Sequence, residues 1–466
     1  MAAWLGIQAD AGRDTRADVP AVAAAATDTG YMNLAVGDKT GRPPGDDTAA
    51  QPAAAPSASP AAGLRESAAR LLGLLDRPLT SYYLIIGCTL LLLALGLAMV
   101  LSTSSALALD HNQAPYAGFQ KQLLGAVFGL GVMWLAARAS PRLYRASAYP
   151  MIGLAVLGLI LVLAVGHAVQ GATREITVAG FALQPSEFAK LAFVLWGADL
   201  LARKEKLGQL TDWRQLLIPL MPGTAILALL VLLGNDLGTT VILLVIFLAL
   251  LWVMGSPGRL FIGMLGLMAF VVVVLIIVEP YRLQRFLGFL NPGAQPLGAG
   301  MQELNGQYAL GSGGPLGVGL GASRSQWGWV PESSTDFIFA ILGEELGLVG
   351  TLSVIFLYTG IAYAGIRIAR RMQDTFMRMA AAAVTVWIVA QALVNMGAVL
   401  GLLPITGIPL PLVSAGLSSL LVTITALGML MCFARHEPGA RQALAQAGPG
   451  VPRRILSWLG LGPRRR

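Results

Sequence analysis

The chain has 466 residues, 56% of them hydrophobic and only 12% charged, and its mean hydropathy is +0.69. Soluble domains carry about a quarter charged residues, so this composition excludes a soluble fold and points to an integral membrane protein. The net charge of +8 comes from short basic clusters between apolar runs, which is a membrane-topology pattern and not a nucleic-acid-binding face.

Residues 1–78 are rich in Ala, Pro, Gly, Asp and Thr and lack hydrophobic periodicity; Pro52 to Gly63 reads PAAAPSASPAAG. The segment is predicted to be a disordered cytoplasmic arm, either inert or a docking arm for cytoplasmic partners. No apolar h-region precedes residue 80, so it is not a signal peptide. From residue 79 to 436 the expectation is a membrane domain. Ten runs are long enough to cross a bilayer, near 82–103, 122–138, 147–166, 187–203, 215–233, 237–254, 259–279, 336–363, 377–400 and 414–434.

Charge tests that count. Arg138, Arg142 and Arg145 follow the second run, and Arg203, Lys204, Lys206 and Arg214 the fourth. Arg259 follows the sixth, Arg367, Arg370, Arg371 and Arg378 the eighth, and Arg435 and Arg441 the tenth. Every even-numbered exit is basic, which places both termini in the cytoplasm. The fold class expected is an all-α integral membrane protein of ten transmembrane helices, with a long extracytoplasmic loop, 280–335, between helices 7 and 8. A loop of that length in a compact protein is usually functional. The basic tail, 437–466, carries an amphipathic piece from Ile455 to Leu461 between Arg453–Arg454 and Arg464–Arg466. It reads as a surface anchor for anionic lipid or as a plain solubilising tail.

The long loop ends at Asp336, an acid at the mouth of an apolar run. Ionisable groups there are functional candidates by default; the structural alternative is a first-turn helix cap. Thr335 could cap instead and leave the Asp336 carboxylate to a substrate. Two turns on, Glu344 and Glu345 are expected to place at least one carboxylate inward. A second cluster lies from Gly171 to Lys190. There Pro185 starts a helix, Ser186 can cap it, and Glu187 and Lys190 share a face. These two form either a structural ion pair or part of a charged site in which Lys190 and Arg174 meet an anionic group. Asp236, within GNDLGTT, is either a turn former or a ligand for a sugar hydroxyl or cation. His111, His167 and His436 are scattered, and Cys88 and Cys432 sit far apart in apolar runs. No metal site is expected from them, and no nucleotide fingerprint is present.

Three long stretches carry a resemblance: LQPSEFAKLAFVLWGADLLARK (Leu183 to Lys204), YALGSGGPLGVGLGASRSQWGWVPESSTDFIFAILGEELGLVG (Tyr308 to Gly350) and VNMGAVLGLLPITGIPLPLVSAG (Val394 to Gly416). From about Arg77 to Pro438 the sequence resembles the SEDS proteins (shape, elongation, division and sporulation), and within them the division branch. The resemblance implies a peptidoglycan glycosyltransferase in the cytoplasmic membrane, at the division septum, polymerising lipid II beside a class B penicillin-binding protein and other divisome proteins. It implies that Asp336 is the essential acid and that Gln184, Pro185, Ser186, Glu187 and Lys190 form the family's QPSE-x-x-K motif. Arg174 and Asp236 join them as substrate-binding candidates. Such chemistry requires no cofactor and leaves open a divalent cation, Mg or Mn, at the diphosphate.

The sequence departs from the family pattern at several places. Ser334 stands where the family has His, Thr173 and Glu175 flank a single Arg174 in place of Arg-Arg-Trp, and Leu417 replaces a Gly. Beside polymerisation, two readings therefore stay open: a lipid II flippase using the intramembrane charges, and a non-catalytic scaffold for a penicillin-binding protein.

Overall fold

The computed structural model describes residues 79–110, 114, 116–169, 172–178, 181–208, 213–294, 300–440 and 442. The expectations for the N-terminal arm and for the tail piece Ile455 to Leu461 fall outside these residues. Each of the ten apolar runs carries a helix: α1 (Thr80–Asp110), α2 (Ala117–Arg138), α3 (Pro141–Val165), α4 (Pro185–Lys206), α5 (Trp213–Leu233), α6 (Leu237–Val253), α7 (Gly258–Val278), α10 (Ile338–Arg371), α11 (Thr375–Val399) and α12 (Leu417–Ala434). Two further helices, α8 (Pro280–Leu290) and α9 (Met301–Gly313), lie in the stretch read as a loop. Starts follow local chemistry. Ser140 caps α3 with Pro141 at its first position, Asp236 caps α6, and Asp374 caps α11.

The fold is not purely helical. Between the third and fourth apolar runs lies a three-stranded antiparallel sheet of β1 (His167–Val169), β2 (Ala172–Val178) and β3 (Phe181–Leu183). Glu175 pairs with His167 on one side of β2, and Ile176 with Leu183 on the other. The β-branched Ile176 and Thr177 suit a pleated surface, a signal hidden by the charged pair Arg174 and Glu175.

Among the described residues, seven helices are long and apolar enough to cross a membrane: α1, α2, α3, α7, α10, α11 and α12; Leu217–Leu233 and α6 are shorter apolar helices. Helix α4 is not among them, because Glu187, Lys190 and Asp199 interrupt its apolar residues; all three are buried. Most of its residues are buried, and Asp199, wholly buried, is bridged by Arg145 at 2.5 Å and Arg203 at 2.6 Å. Helix α7 is the opposite case and buries none of its residues.

The connection from 404 to 416 is non-helical backbone packed within the helices. Unpaired backbone groups at such depth are costly, so side chains satisfy them. Gln391 Nε2 donates to Pro409 O at 3.0 Å, Asn395 Nδ2 to Ile408 O at 2.8 Å, and Tyr358 Oη to Pro411 O. Gln122 reaches in from α2, donating to Ser414 O and accepting from Gly416 N, both at 3.3 Å.

Helix α10 is broken at Gly347 (φ 65°, ψ −158°). The carbonyls of Glu344 and Glu345 would serve the amides of Leu348 and Val349 in an unbroken helix. Instead they accept from Val318 N and Gly319 N, each at 3.0 Å, while Leu348 N and Val349 N donate to Gly314 O and Pro315 O at 3.0 and 3.3 Å. A glycine-rich loop is thus spliced into the helix. The Gly347 backbone occupies a region open essentially to glycine alone. Gly347→Ala is expected to destabilise the protein by about 1–3 kcal/mol and lower its thermal midpoint in detergent. Gly131→Ala, inside α2 with open space around it, is the control that does not lower the midpoint.

Candidate active site

Asp336 stands in the turn that enters α10. The residue preceding the helix is Phe337, and no side chain caps it, so Asp336 is not spent as a helix cap. Nor does Thr335 cap; its hydroxyl donates to Glu332 Oε2 at 2.7 Å. The turn is held through its backbone from two directions. Asn395 Nδ2 donates to Asp336 O at 2.8 Å, Ser414 Oγ to Thr335 O at 2.6 Å, and Ala415 N to Ser334 O at 2.9 Å. Ser334 thus takes part through its carbonyl. Glu332 takes a left-handed backbone (φ 56°), unusual for a non-glycine residue.

The Asp336 carboxylate borders a cavity of about 390 Å³. One part of its wall is charged: Arg174 from β2, Asp236 from the α6 cap, Arg282 and Arg285 from α8, and Glu332 beside the acid. Another part is apolar, with Val241 from α6, Val272 and Ile276 from α7, and Phe286 from α8. Burial pushes the Asp336 carboxyl up to about 6; Arg174 and Arg285 pull against this, and Glu332 and Asp236 add to it. Gly407 (φ 70°) marks the convergence, because a Cβ there would stand 3.7 Å from both Arg174 Nη1 and Asp336 Oδ2. A methyl there would only touch both groups, so it is the left-handed backbone more than space that favours glycine at this position.

Arg174 and Asp236 line this cavity with Asp336. Ser186 Oγ and Gln184 Nε2 each donate to Asp236 Oδ2 at 3.3 Å, while Asp236 Oδ1 accepts from Thr239 N at 2.9 Å. Asp236 is thus a helix cap and a cavity wall at once. Glu187 and Lys190 lie beneath, away from the cavity. Lys190 Nζ donates to Glu187 Oε1 at 2.7 Å and to Gln391 Oε1 at 2.8 Å, and sits 5.2 Å from the Trp387 ring centroid; its side chain has no exposed surface. This is the ion-pair alternative. Glu344 and Glu345 both point inward and both hold the spliced loop. Glu344 accepts from Ser323 Oγ at 2.6 Å and Arg324 N at 3.1 Å, and Glu345 from Ser102 Oγ at 2.5 Å.

Arg282, Arg285 and Glu332 escaped the sequence reading. The signal for the arginines was present in PYRLQRFLGFL: a proline start, then basic residues three apart on one face of an otherwise apolar helix. Among the described residues, no group of three or more His, Cys, Asp or Glu side chains is arranged to hold a metal ion.

Comparison with known proteins agrees with this architecture. The family model described as cell cycle protein, covering FtsW, RodA and SpoVE, matches residues 82–438. The probable peptidoglycan glycosyltransferase FtsW of Mycobacterium tuberculosis is 40% identical over 384 residues, 82% of this chain and 73% of that protein. Stage V sporulation protein E of Bacillus subtilis is 36% identical over 358 residues, 76% of this chain and 97% of that one. A chain from a peptidoglycan synthase complex, solved in a study of coordinated polymerization and crosslinking, superposes with a TM-score of 0.60 at 27% identity, over 76% of this chain and 97% of that one. Thermus thermophilus RodA shares the fold, with a TM-score of 0.54 at 24% identity, over 76% and 96% of the two chains. The protein is a multi-pass membrane protein, and it belongs to the FtsW/RodA/SpoVE family of cell cycle proteins.

Proposed function

We propose that this protein is a peptidoglycan glycosyltransferase that polymerises lipid II at the outer face of the cytoplasmic membrane during cell division, beside a class B penicillin-binding protein. The relatives' names support the activity. The observation that carries it is the cavity itself: one partly desolvated carboxylate, three arginines and an apolar wall in a single space. That is the complement of a substrate with a sugar hydroxyl to deprotonate, a diphosphate to release and a polyprenyl tail to hold. All ten helices α1–α7 and α10–α12 cross the bilayer in this reading, with both termini cytoplasmic and residues 280–335 outside; the basic even-numbered exits support it.

The chemistry then follows from charge placement. Asp336, as carboxylate, accepts the proton of an acceptor sugar 4-hydroxyl while that oxygen bonds to the donor's anomeric carbon. The bond from that carbon to the diphosphate oxygen breaks, and the diphosphate departs with the electron pair toward Arg174, Arg282 and Arg285. One displacement inverts α to β without a glycosyl-enzyme intermediate. Asp236, held by Ser186 and Gln184, shapes the wall beside the acceptor, and the Glu187–Lys190 pair fixes the first turn of α4 beneath it.

The test is extension of labelled lipid II by the purified protein with its penicillin-binding partner. Arg282→Ala and Arg285→Ala should each reduce kcat/KM by about 10- to 100-fold, the range of one lost charged hydrogen bond. Unchanged rates would remove α8 from the diphosphate site. No product from the parent protein, with partner binding intact, would favour the scaffold reading.

A further inference from the structure

The sheet that carries Arg174 is joined to the helices along one edge. Strand β3 is an edge strand, and its inner side pairs with β2 through Phe181–Val178, Ala182–Thr177 and Leu183–Ile176. In an extended chain the carbonyl of one residue and the amide two residues later face the same side. Ala182 O and Gln184 N are such a pair, and Ser418, in the first turn of α12, meets both. Its hydroxyl donates to Ala182 O at 2.9 Å and its oxygen accepts from Gln184 N at 3.2 Å. One side chain thus stands where a fourth strand would pair. The bridge fixes the register of β3, because the groups of the neighbouring residues point to the opposite edge.

Four residues earlier, the same piece of chain holds the turn that carries Asp336. Ser414 Oγ donates to Thr335 O and Ala415 N to Ser334 O. Between the two attachments Gln122 clamps the backbone, through Ser414 O and Gly416 N. Residues 414–418 therefore grip the Asp336 turn at one end and the edge of β3 at the other. Continuing the β2–β3 register by two residues sets Arg174 opposite Pro185, where β3 passes into α4. Arg174 and Asp336 then converge beside Gly407. Ser418 does not itself line the cavity, so what it contributes there passes through the strands.

We infer that Ser418 is a positioning residue: it registers the sheet to the segment that holds Asp336, and so sets where the Arg174 guanidinium stands against the departing diphosphate. A cation placed in advance stabilises developing charge without reorganisation, so a strand that can shift weakens it. Strand β2 also lies against α3 and α4. Loss of the bridge therefore costs placement and leaves the fold. The inference rests on the proposed function for its reaction, whereas the anchoring of β3 is independent of the chemistry.

Ser418→Ala tests it in the full chain with its penicillin-binding partner. The variant should lower kcat/KM for lipid II extension by about 10- to 100-fold, the scale of a group displaced by about 1 Å. Ser418→Thr keeps the hydroxyl and should restore the rate. In an Arg174→Ala background, Ser418→Ala should have no further effect, which a general loss of stability would not reproduce. Hydrogen exchange reads the anchor without substrate: the amides of β2 and β3 should exchange faster in Ser418→Ala than in the parent or in Ser418→Thr, with those of α11 unchanged. Equal losses of rate in the parent and Arg174→Ala backgrounds would overturn the inference. So would unchanged exchange in the sheet, or a Ser418→Thr rate no better than that of Ser418→Ala. Normal polymerisation by Ser418→Ala would remove the positioning role and leave the glycosyltransferase standing. Faster exchange in Ser418→Ala, in a protein whose parent polymerises nothing, would sink the glycosyltransferase and keep the anchor.

Discussion

Asp336→Asn should reduce polymerisation by about 10²- to 10⁴-fold, the usual contribution of a positioned base, and yet yield a more heat-stable protein. Both halves come from one placement. The carboxyl is pushed up to about 6 by the protein around it, so its charged form is disfavoured in the fold relative to the unfolded chain, where it titrates near 4. Folding stability therefore declines as pH rises from about 4 to about 6 and then stays at the lower level. An amide of the same shape removes that decline, so the gain in thermal midpoint of Asp336→Asn should be present at pH 7.5 and absent at pH 4. Activity runs the other way. The parent's kcat/KM should fall about tenfold per pH unit below about 6, where Asp336 becomes protonated. A variant that polymerises normally would remove the acid from the mechanism. One that loses activity with an unchanged midpoint would show that the fold does not oppose the charge.

Lys190→Met should be among the most damaging single substitutions in the membrane domain, through stability and not through substrate binding. It leaves Glu187 buried, with one carboxylate oxygen already lacking a partner among the described residues and the counter-charge of Lys190 gone. Removing one member of a buried ion pair typically costs 3–5 kcal/mol. Removing both is far milder, so Glu187→Gln with Lys190→Met should recover most of the lost midpoint and, with it, most of the polymerisation. If the double variant refolds to parental stability and stays inactive, Lys190 does touch substrate. The single and double variants, compared by thermal unfolding and by lipid II extension, separate the two roles.

These two residues also show what was legible in the chain. Asp336 stood out because a carboxylate at the edge of an apolar run is rare, and hydropathy alone displays it. The positions of all ten long helices came from the same signal, even for α4, whose inward charges dilute it. What periodicity does not carry is direction. Glu187 and Lys190 looked the same on paper whether they faced a cavity or each other; in the structure they face each other, with Gln391 and Trp387 of α11 against Lys190. Arg282 and Arg285 were hidden for a different reason: the loop 280–335, rich in Gly and Pro, read as irregular, which masked an eleven-residue amphipathic helix within it. The sheet at 167–183 was missed because its pairing partners are short and its middle strand is charged. Glu332 could not have been found by pattern, since its role comes from a left-handed backbone and a bond to Thr335.

The break at Gly347 has a consequence for how the protein is made. While α10 leaves the ribosome and enters the bilayer, residues 314–319 have yet to fold back against it. The amides of Leu348 and Val349 then have their own helix as nearest acceptor, through Glu344 and Glu345. Without the loop an unbroken helix is the arrangement that satisfies these amides, and with the loop in place the break satisfies them. In the outward topology proposed above, the joining of loop and helix beside Asp336 takes place on the side of the membrane opposite to synthesis.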